Sequence, residues 1–306
     1  MFALPYNLAM KRRKIIVIVG PTASGKSDLA VAIAKKFNGE IISADSRQVY
    51  KGLDIGTGKI TKREMKGVPH HLIDIASPKR RFTAYDFIQH ANRSLTLIYQ
   101  SDKIPIITGG TGFYIDALVG NIAIPQLPPN EPLRKRLEAK TASELFEMLK
   151  LRDPKRARTI EKSNKRRLIR AIEIATASPK NTKVRPLHVY DVLWVGIETE
   201  RDALRNNIYK RLVERMKKGM FAEAKKLHEK GLSYKRMKEL GLEYKYLALF
   251  LENKITKEEM VEQLSAKIWQ YARRQMTYWR RNKNIYWVKK GQNPKINKLV
   301  SNFLGV

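Results

Sequence analysis

Gly20-Pro-Thr-Ala-Ser-Gly-Lys-Ser27 directly follows the apolar run Lys14–Val19, and the two stretches together decide the fold. The first fits the P-loop pattern G-x-x-x-x-G-K-[ST] between a predicted strand and a predicted helix. Its glycines let backbone N–H groups turn inward around a polyphosphate, and the helix amino terminus adds its positive dipole end. Lys26 supplies a point charge, and Ser27 can hold Mg²⁺. The sequence therefore predicts a diphosphate or triphosphate site formed by Gly20, Pro21, Thr22, Ala23, Ser24, Gly25, Lys26 and Ser27.

The first third of the chain alternates short apolar strands with amphipathic helices. This pattern predicts an α/β fold, a parallel sheet with helices on both faces. Ligands bind beyond the carboxyl ends of the strands in such sheets. The P-loop, Asp45–Gln48 and Gly109–Gly112 each follow a strand, so we expect them to converge on one cleft. The predicted strands are Ile15–Val19, Glu40–Ser43, His71–Ile75 and Ile104–Thr108, and the predicted helices are Ser27–Phe37, Ala84–Gln100 and Phe113–Val119.

A proline-rich segment interrupts this pattern. Ile122–Pro132 contains four prolines and is predicted to form no regular element. Leu133–Ala177 then has a helical pattern without strands, closed by Ser178–Asn181. We expect an α/β core at 1–119 and 190–306 with an all-helical domain inserted at 120–189. The core resumes with a strand at Val189–Gly196, a helical C-terminal region at 201–283 and a last strand at Asn284–Val288.

The charge balance indicates a large polyanionic partner. The 306 residues contain 61 Lys and Arg against 29 Asp and Glu, a formal net charge of +32. Such a surplus favours nucleic acid or an anionic membrane as the binding partner, although a generally basic proteome would also produce it. No apolar run approaches the roughly 20 residues that span a bilayer, and Met1–Met10 lacks the pattern of a secretory signal. The chain has no cysteine, which is compatible with the cytoplasm and excludes thiol chemistry.

Five further motifs make the interpretation more specific. Ile42–Thr57 contains Ser-Ala-Asp-Ser-Arg-Gln-Val-Tyr, and Thr108–Ile115 contains Gly-Gly-Thr-Gly-Phe-Tyr. Val68–Asp74 and the two C-terminal blocks Gly241–Tyr246 and Tyr271–Arg280 extend the match nearly from end to end. Together with the P-loop, these motifs resemble the tRNA dimethylallyltransferase (tRNA isopentenyltransferase) family, bacterial in type.

The resemblance implies a P-loop kinase-like core that transfers a prenyl group. The donor would be dimethylallyl diphosphate, held by the P-loop with Mg²⁺. The acceptor would be N6 of the adenosine 3′-adjacent to the anticodon, flipped out of the tRNA anticodon stem-loop. The expected protein is cytoplasmic and monomeric, without a membrane partner.

Site residues follow from the same resemblance. Asp45 matches the general base, Thr111 the threonine of the Gly-Gly-Thr-Gly block, and Arg211 a diphosphate-binding arginine. Asn207 stands where relatives often carry a second arginine, and Lys210 or Arg205 are candidates to replace it. The expected tRNA contacts are Asp45, Ser46, Arg47, Gln48, Thr111, Arg166, Arg167, Arg170 and Arg274.

Three other activities share parts of this pattern. An ATP-dependent kinase for a small substrate would use the same P-loop, but it gives no reason for the charge of +32. A relative that prenylates free adenine nucleotides would not need the basic insertion. Residues 121–190 include 17 basic and 7 acidic residues. A GTPase-like RNA-binding switch would need an Asn-Lys-x-Asp loop, and none lies in a fitting place.

Overall fold

The computed structural model describes residues 13–125, 127–177 and 190–306, and the termini of its elements are as follows. The first part contains β1 (Arg13–Val19), α1 (Lys26–Lys36), β2 (Gly39–Ser43), α2 (Lys62–Met65), β3 (His70–His71), α3 (Ala84–Gln100), β4 (Ile104–Thr108) and α4 (Gly112–Leu118). The middle part contains α5 (Glu131–Glu138), α6 (Ala142–Arg152), α7 (Pro154–Ala157) and α8 (Lys165–Ala177). The last part contains β5 (Tyr190–Glu198), α9 (Arg201–Lys217), α10 (Met220–Glu229), α11 (Tyr234–Glu239), α12 (Leu242–Leu251), α13 (Lys257–Trp279), β6 (Ile285–Lys289) and α14 (Asn293–Leu304).

The six strands form one parallel sheet in the order β3-β2-β4-β1-β5-β6. β1 lies inside the sheet, pairing Ile16 with Ile106 of β4 on one side and with Leu193 of β5 on the other. Its residues 15–19 are fully buried, as expected for a strand covered on both faces. The carboxyl ends of β1, β2 and β4 therefore meet at one edge of the sheet, and the α/β fold prediction is confirmed.

The strand predicted over His71–Ile75 is wrong in its extent. The strand comprises only His70 and His71, because Leu72 (φ 64°) and Asp74 (φ 57°) adopt left-handed backbone conformations that leave the sheet. Ile75 then donates its N–H to the Val49 carbonyl at 2.9 Å. The segment thus lines the loop after β2 instead of extending the sheet.

The prediction that Ile122–Pro132 forms no regular element is also wrong at its end, where α5 begins at Glu131 with Asn130 as its cap.

The chain divides into two compact units, Met1–Ile122 with Leu187–Val306, and Ala123–Pro186. The sequence-based bounds of the second unit are 120–189. Its described residues form helices α5 to α8, as the pattern over Leu133–Ala177 predicts. The predicted closing segment Ser178–Asn181 and the start of the strand at Val189 lie outside the described residues. In the described ranges we find no helix that is long and apolar enough to cross a membrane.

A buried carboxylate holds the second unit together. Glu173 of α8 is 1% exposed and accepts hydrogen bonds from the Asn130 N–H (2.5 Å), from Arg134 Nε (3.0 Å) and from Arg170. Arg170 also donates to the Leu127 carbonyl at 2.7 Å. Burial alone would raise the pKa of Glu173, but the hydrogen bonds from Arg134 and Arg170 lower it below its ordinary value of 4.5.

We expect Glu173→Ala to destabilise the second unit by about 3–5 kcal/mol, because two partly buried arginines lose their counter-charge. Since the folded-state pKa of Glu173 is lowered, its contribution is complete above about pH 4.5 and is lost as the pH falls through the folded value. Hydrogen exchange of α5 and α8 measures both effects. Glu161→Ala is the matched control, because Glu161 pairs with Arg167 on the exposed surface and should cost less than about 1 kcal/mol. Equal protection in the two variants would contradict the role of Glu173.

Candidate functional site

The P-loop has the backbone that phosphate binding requires. Gly25 caps α1 in a left-handed conformation (φ 90°), which places the helix amino terminus directly behind the loop. The hydroxyl of Ser24 is buried and has no hydrogen-bond partner among the described residues. Thr22 donates its N–H to Oε1 of Gln275 at 2.8 Å, so a C-terminal helix holds the loop. The loop thus offers helix-end N–H groups to an anion.

Two cations stand beside this loop. Burial and the neighbouring Arg211 lower the pKa of Lys26 to about 8, against a smaller opposing effect of Asp45. The guanidinium of Arg211 keeps part of its surface in solvent, yet surrounding protein atoms and Arg215 lower its pKa as well. Repulsion between these cations is relieved when a phosphate group lies between them. The arrangement therefore favours a ligand with several negative charges.

Asp45 follows β2 and has two unequal oxygens. Its Oδ1 accepts the backbone N–H groups of Arg47 (2.8 Å) and Gln48 (3.3 Å). Its Oδ2 has no hydrogen bond within the described residues and lies towards Gly110, 3.0 Å from where a β-carbon would stand. One oxygen is thus fixed by the turn, and the other is free to accept a proton from a ligand.

The loop after β4 is fastened to the loop after β2. Thr111 accepts the Ser46 N–H on its Oγ1 at 3.0 Å and donates its own N–H to the Ala44 carbonyl at 3.0 Å. Gly110 accepts two side-chain hydrogen bonds on its carbonyl, from Tyr271 OH (2.8 Å) and Gln275 Nε2 (2.9 Å). The three sequence-predicted clusters therefore do lie together at one edge of the sheet.

One cavity is lined by six of the predicted site residues. Thr22, Lys26, Ser27, Asp45, Gln48 and Arg211 line it. Ser46, Arg47 and Thr111 lie in the loops around it, and the Arg47 side chain passes beside Gly241. Arg274 lies exposed on α13, the helix that carries Tyr271 and Gln275. The cavity also has lining residues that the sequence analysis did not assign, namely Thr57, Gly58, His70, Tyr271 and Gln275.

C-terminal helices support the cavity wall at residues 54–58. The Glu223 carboxylate accepts the N–H groups of residues 54, 55 and 56 at 2.7–3.0 Å and the Tyr244 hydroxyl at 2.5 Å. A β-carbon at Gly56 would lie 2.7 Å from the Tyr244 ring, so this position requires glycine. Arg215 donates to the Gly56 carbonyl at 2.8 Å. Gly56 and Tyr244 belong to motifs quoted above, but Glu223 belongs to none, and no local pattern marks it.

Other cations lie near Asn207, the position at which relatives often carry a second arginine. Lys210 lines the same P-loop cleft as Asn207 and Arg211, whereas Arg205 lines a separate groove between α9 and α13. Lys290 also lines the cleft, with its Cε 3.5 Å from where a β-carbon of Gly25 would stand. Lys210 therefore fits the replacement that the sequence suggested, and Arg205 does not.

The three arginines of α8 differ in their surroundings. Arg170 is engaged with Glu173 and the Leu127 carbonyl, so it holds the second unit together. Arg167 forms an exposed ion pair with Glu161 at 3.0 Å. Arg166 is exposed and has no ion pair or hydrogen bond to its side chain within the described ranges. Arg166 and Arg167 remain available to a partner, and contact of any of the three with RNA stays a prediction.

The fold and the cavity define a P-loop α/β protein in which an anion site faces a carboxylate. The profile of the IPP transferase family matches residues 48–282 of this chain. The chain belongs to the IPP transferase family.

Individual relatives match nearly the full length. The tRNA dimethylallyltransferase 2 of Treponema denticola is 43% identical over 285 residues, covering 90% of this chain and 95% of that protein. The crystal structure of the full-length tRNA isopentenylpyrophosphate transferase of Bacillus halodurans is 36% identical, covers 96% of both chains and gives a TM-score of 0.71. A eukaryotic dimethylallyltransferase structure, 24% identical with a TM-score of 0.81, shares the fold. The family resemblance read from the motifs is thereby confirmed.

The lowered pKa of Lys26 predicts how anion binding depends on pH. We expect the affinity for inorganic diphosphate to fall as the pH rises above about 8, because free Lys26 then loses the proton that the complex needs. Calorimetric titration between pH 6.5 and 9.5 measures the change. Lys26→Arg is the matched control, since arginine stays charged throughout. Identical pH profiles for the wild type and the arginine variant would contradict the prediction.

Proposed function

We propose that this protein transfers a dimethylallyl group from dimethylallyl diphosphate to N6 of the adenosine 3′-adjacent to the anticodon of tRNA, releasing diphosphate. The observation that carries the proposal is the cavity in which Lys26 and Arg211 stand across from the free Oδ2 of Asp45. Membership in the IPP transferase family and full-length relatives named tRNA dimethylallyltransferase support it. The P-loop side of the cavity suits the departure of diphosphate from the donor, and the Asp45 side suits proton removal from the acceptor.

The P-loop half suits the donor. Its diphosphate would take hydrogen bonds from the N–H groups of Gly25–Ser27 at the start of α1 and would be neutralised by Lys26, Arg211 and Lys210. Ser27 and Asp28 line the same cleft with oxygen ligands, which Mg²⁺ prefers together with phosphate oxygens and water. A bound Mg²⁺ would neutralise part of the charge that the leaving diphosphate gains. Breaking the allylic C–O bond becomes easier as these groups stabilise that charge.

The Asp45 half suits the acceptor. As the C–O bond breaks, the N6 lone pair forms a bond to C1 of the dimethylallyl group, and one N6 proton passes to Oδ2 of Asp45. The turn N–H groups on Oδ1 hold the carboxylate in place for this transfer. A base stacked in the anticodon loop cannot reach this cavity, so the adenosine must be flipped out.

The charge of the chain suits tRNA as the carrier of that adenosine. A formal charge of +32 provides the sequence-independent attraction on which RNA affinity depends. In this proposal the second unit contributes exposed cations such as Arg166 and Arg167, and the enzyme works as a cytoplasmic monomer. Incubation with dimethylallyl diphosphate, Mg²⁺ and unmodified tRNA tests the proposal. Mass spectrometry should show one added dimethylallyl group on a single adenosine, and an unchanged nucleoside profile would overturn it.

We expect Asp45→Asn to slow prenyl transfer by roughly a hundredfold or more, because the amide cannot accept the N6 proton. The affinity for tRNA should change much less, since the amide oxygen can still accept the turn N–H groups. Single-turnover kinetics and a tRNA binding assay measure the two effects. Asp102→Asn is the control, as Asp102 is exposed in the turn before β4 and its left-handed backbone tolerates asparagine. Near-normal turnover in Asp45→Asn would remove Asp45 from the role of base.

We expect the double variant Arg166→Ala/Arg167→Ala to weaken tRNA binding and to flatten its salt dependence. Loss of two contacts to a single-stranded loop would reduce the slope of log affinity against log salt by up to about 1.4. Arg170 is left intact, because its removal would disturb Glu173. Lys135→Ala/Arg136→Ala removes an equally exposed basic pair of the same unit and serves as the matched control. Equal slopes in all three proteins would show that the Arg166–Arg167 pair does not touch RNA.

A further inference from the structure

Gln275 connects the two halves of the site through a single amide group. Its Oε1 accepts the N–H of Thr22 in the P-loop at 2.8 Å, and its Nε2 donates to the carbonyl of Gly110 in the loop after β4 at 2.9 Å. The side chain is only 5% exposed, so water does not compete freely for either bond. Both partners are backbone groups, one a donor and one an acceptor, so the orientation of the amide is determined.

The two loops serve different substrates in the proposed reaction. The P-loop holds the donor diphosphate, whereas Gly110 lies beside the Asp45 oxygen that receives the acceptor proton. A planar amide has a fixed width, so bonding at both of its ends sets the distance between the loops. Reaction rates depend steeply on such distances, and a displacement of about 1 Å can cost a hundredfold.

We propose that Gln275 is a positioning residue that fixes the P-loop relative to the Gly109–Thr111 loop, so that donor carbon and acceptor nitrogen meet in reacting geometry. The expected effect on kcat rests on the proposed function, whereas the expected coupling of the two loops does not. Gln275 lies on α13 at the wall of the cavity, and it acts through backbone groups of both loops.

Tyr271 provides a matched comparison from the same helix. Its hydroxyl donates to the same Gly110 carbonyl at 2.8 Å, and the structure records no bond from it to the P-loop. Tyr271→Phe therefore loosens one loop, whereas Gln275→Met, which keeps the length and apolar packing of the side chain, releases both. Gln275→Glu is intermediate, because it retains an acceptor for Thr22 but loses the donor to Gly110.

Amide hydrogen exchange of the full chain tests the structural part. We expect Gln275→Met to accelerate exchange about tenfold in both segments 20–27 and 108–112. Tyr271→Phe and Gln275→Glu should accelerate it in 108–112 alone. Unchanged exchange at 20–27 in Gln275→Met would overturn the proposal. If Gln275→Met does not fold, unchanged exchange of 108–112 in Gln275→Glu would overturn it equally.

Steady-state kinetics test the consequence for catalysis. We expect Gln275→Met and Gln275→Glu to lower kcat for transfer to tRNA by about 10- to 100-fold, with both KM values changed less than about threefold. Tyr271→Phe should lower kcat less than tenfold. An equal loss in Tyr271→Phe, or a kcat within twofold of the wild type in the Gln275 variants, would overturn the inference. Failure of the proposed function is distinct, because the wild type itself would then modify no tRNA.

Discussion

Parallel pairing of β1, β4 and β2 is the constraint on which the site depends. Because parallel strands end at the same edge, the P-loop, the Asp45 turn and the Gly109–Thr111 loop reach one cavity although they are separated by up to 90 residues in sequence. Full burial of residues 15–19 of β1 fixes this arrangement, since a one-residue shift of register would move each of these side chains to the opposite face and disrupt its packing. The chemistry of the site is thus a consequence of strand order.

The C-terminal helices form a second layer that determines where the loops stand. Glu223 holds the N–H groups of residues 54–56, and Gln275 holds Thr22 and Gly110. None of these contacts is with a neighbour in sequence. A P-loop and a carboxylate at the end of a strand are common local features. In this chain the C-terminal helices that bind these loops fix the position of one loop relative to the other.

The sequence predicted the elements that local patterns encode. The P-loop context, β4, α3 and the helical insertion were found because glycines, apolar runs and helical spacing act over a few residues. His71–Ile75 was mistaken for a full strand because its apolar composition conceals the left-handed backbone at Leu72 and Asp74. The sequence analysis grouped Arg170 with surface arginines because the i,i+3 pair with Glu173 looks like an exposed ion pair until Asn130 and Arg134 at α5 bury that carboxylate. Gln275 and Glu223 could not be given their roles, since the backbone groups that they bind lie more than 160 residues away.

The crowding of Lys26, Arg211 and Arg215 has a consequence for the free protein itself. Burial and Arg211 disfavour the charged form of Lys26, and the surrounding protein atoms and Arg215 disfavour that of Arg211, so the pKa values of Lys26 and Arg211 are lowered. The folded chain therefore holds electrostatic strain that an anion would release. Such a site trades stability for function, and substitutions that remove the charge of Lys26 or Arg211 should make the apo protein more resistant to heat while weakening ligand binding. Selection for thermostability alone would consequently favour the loss of these cations from the phosphate cleft.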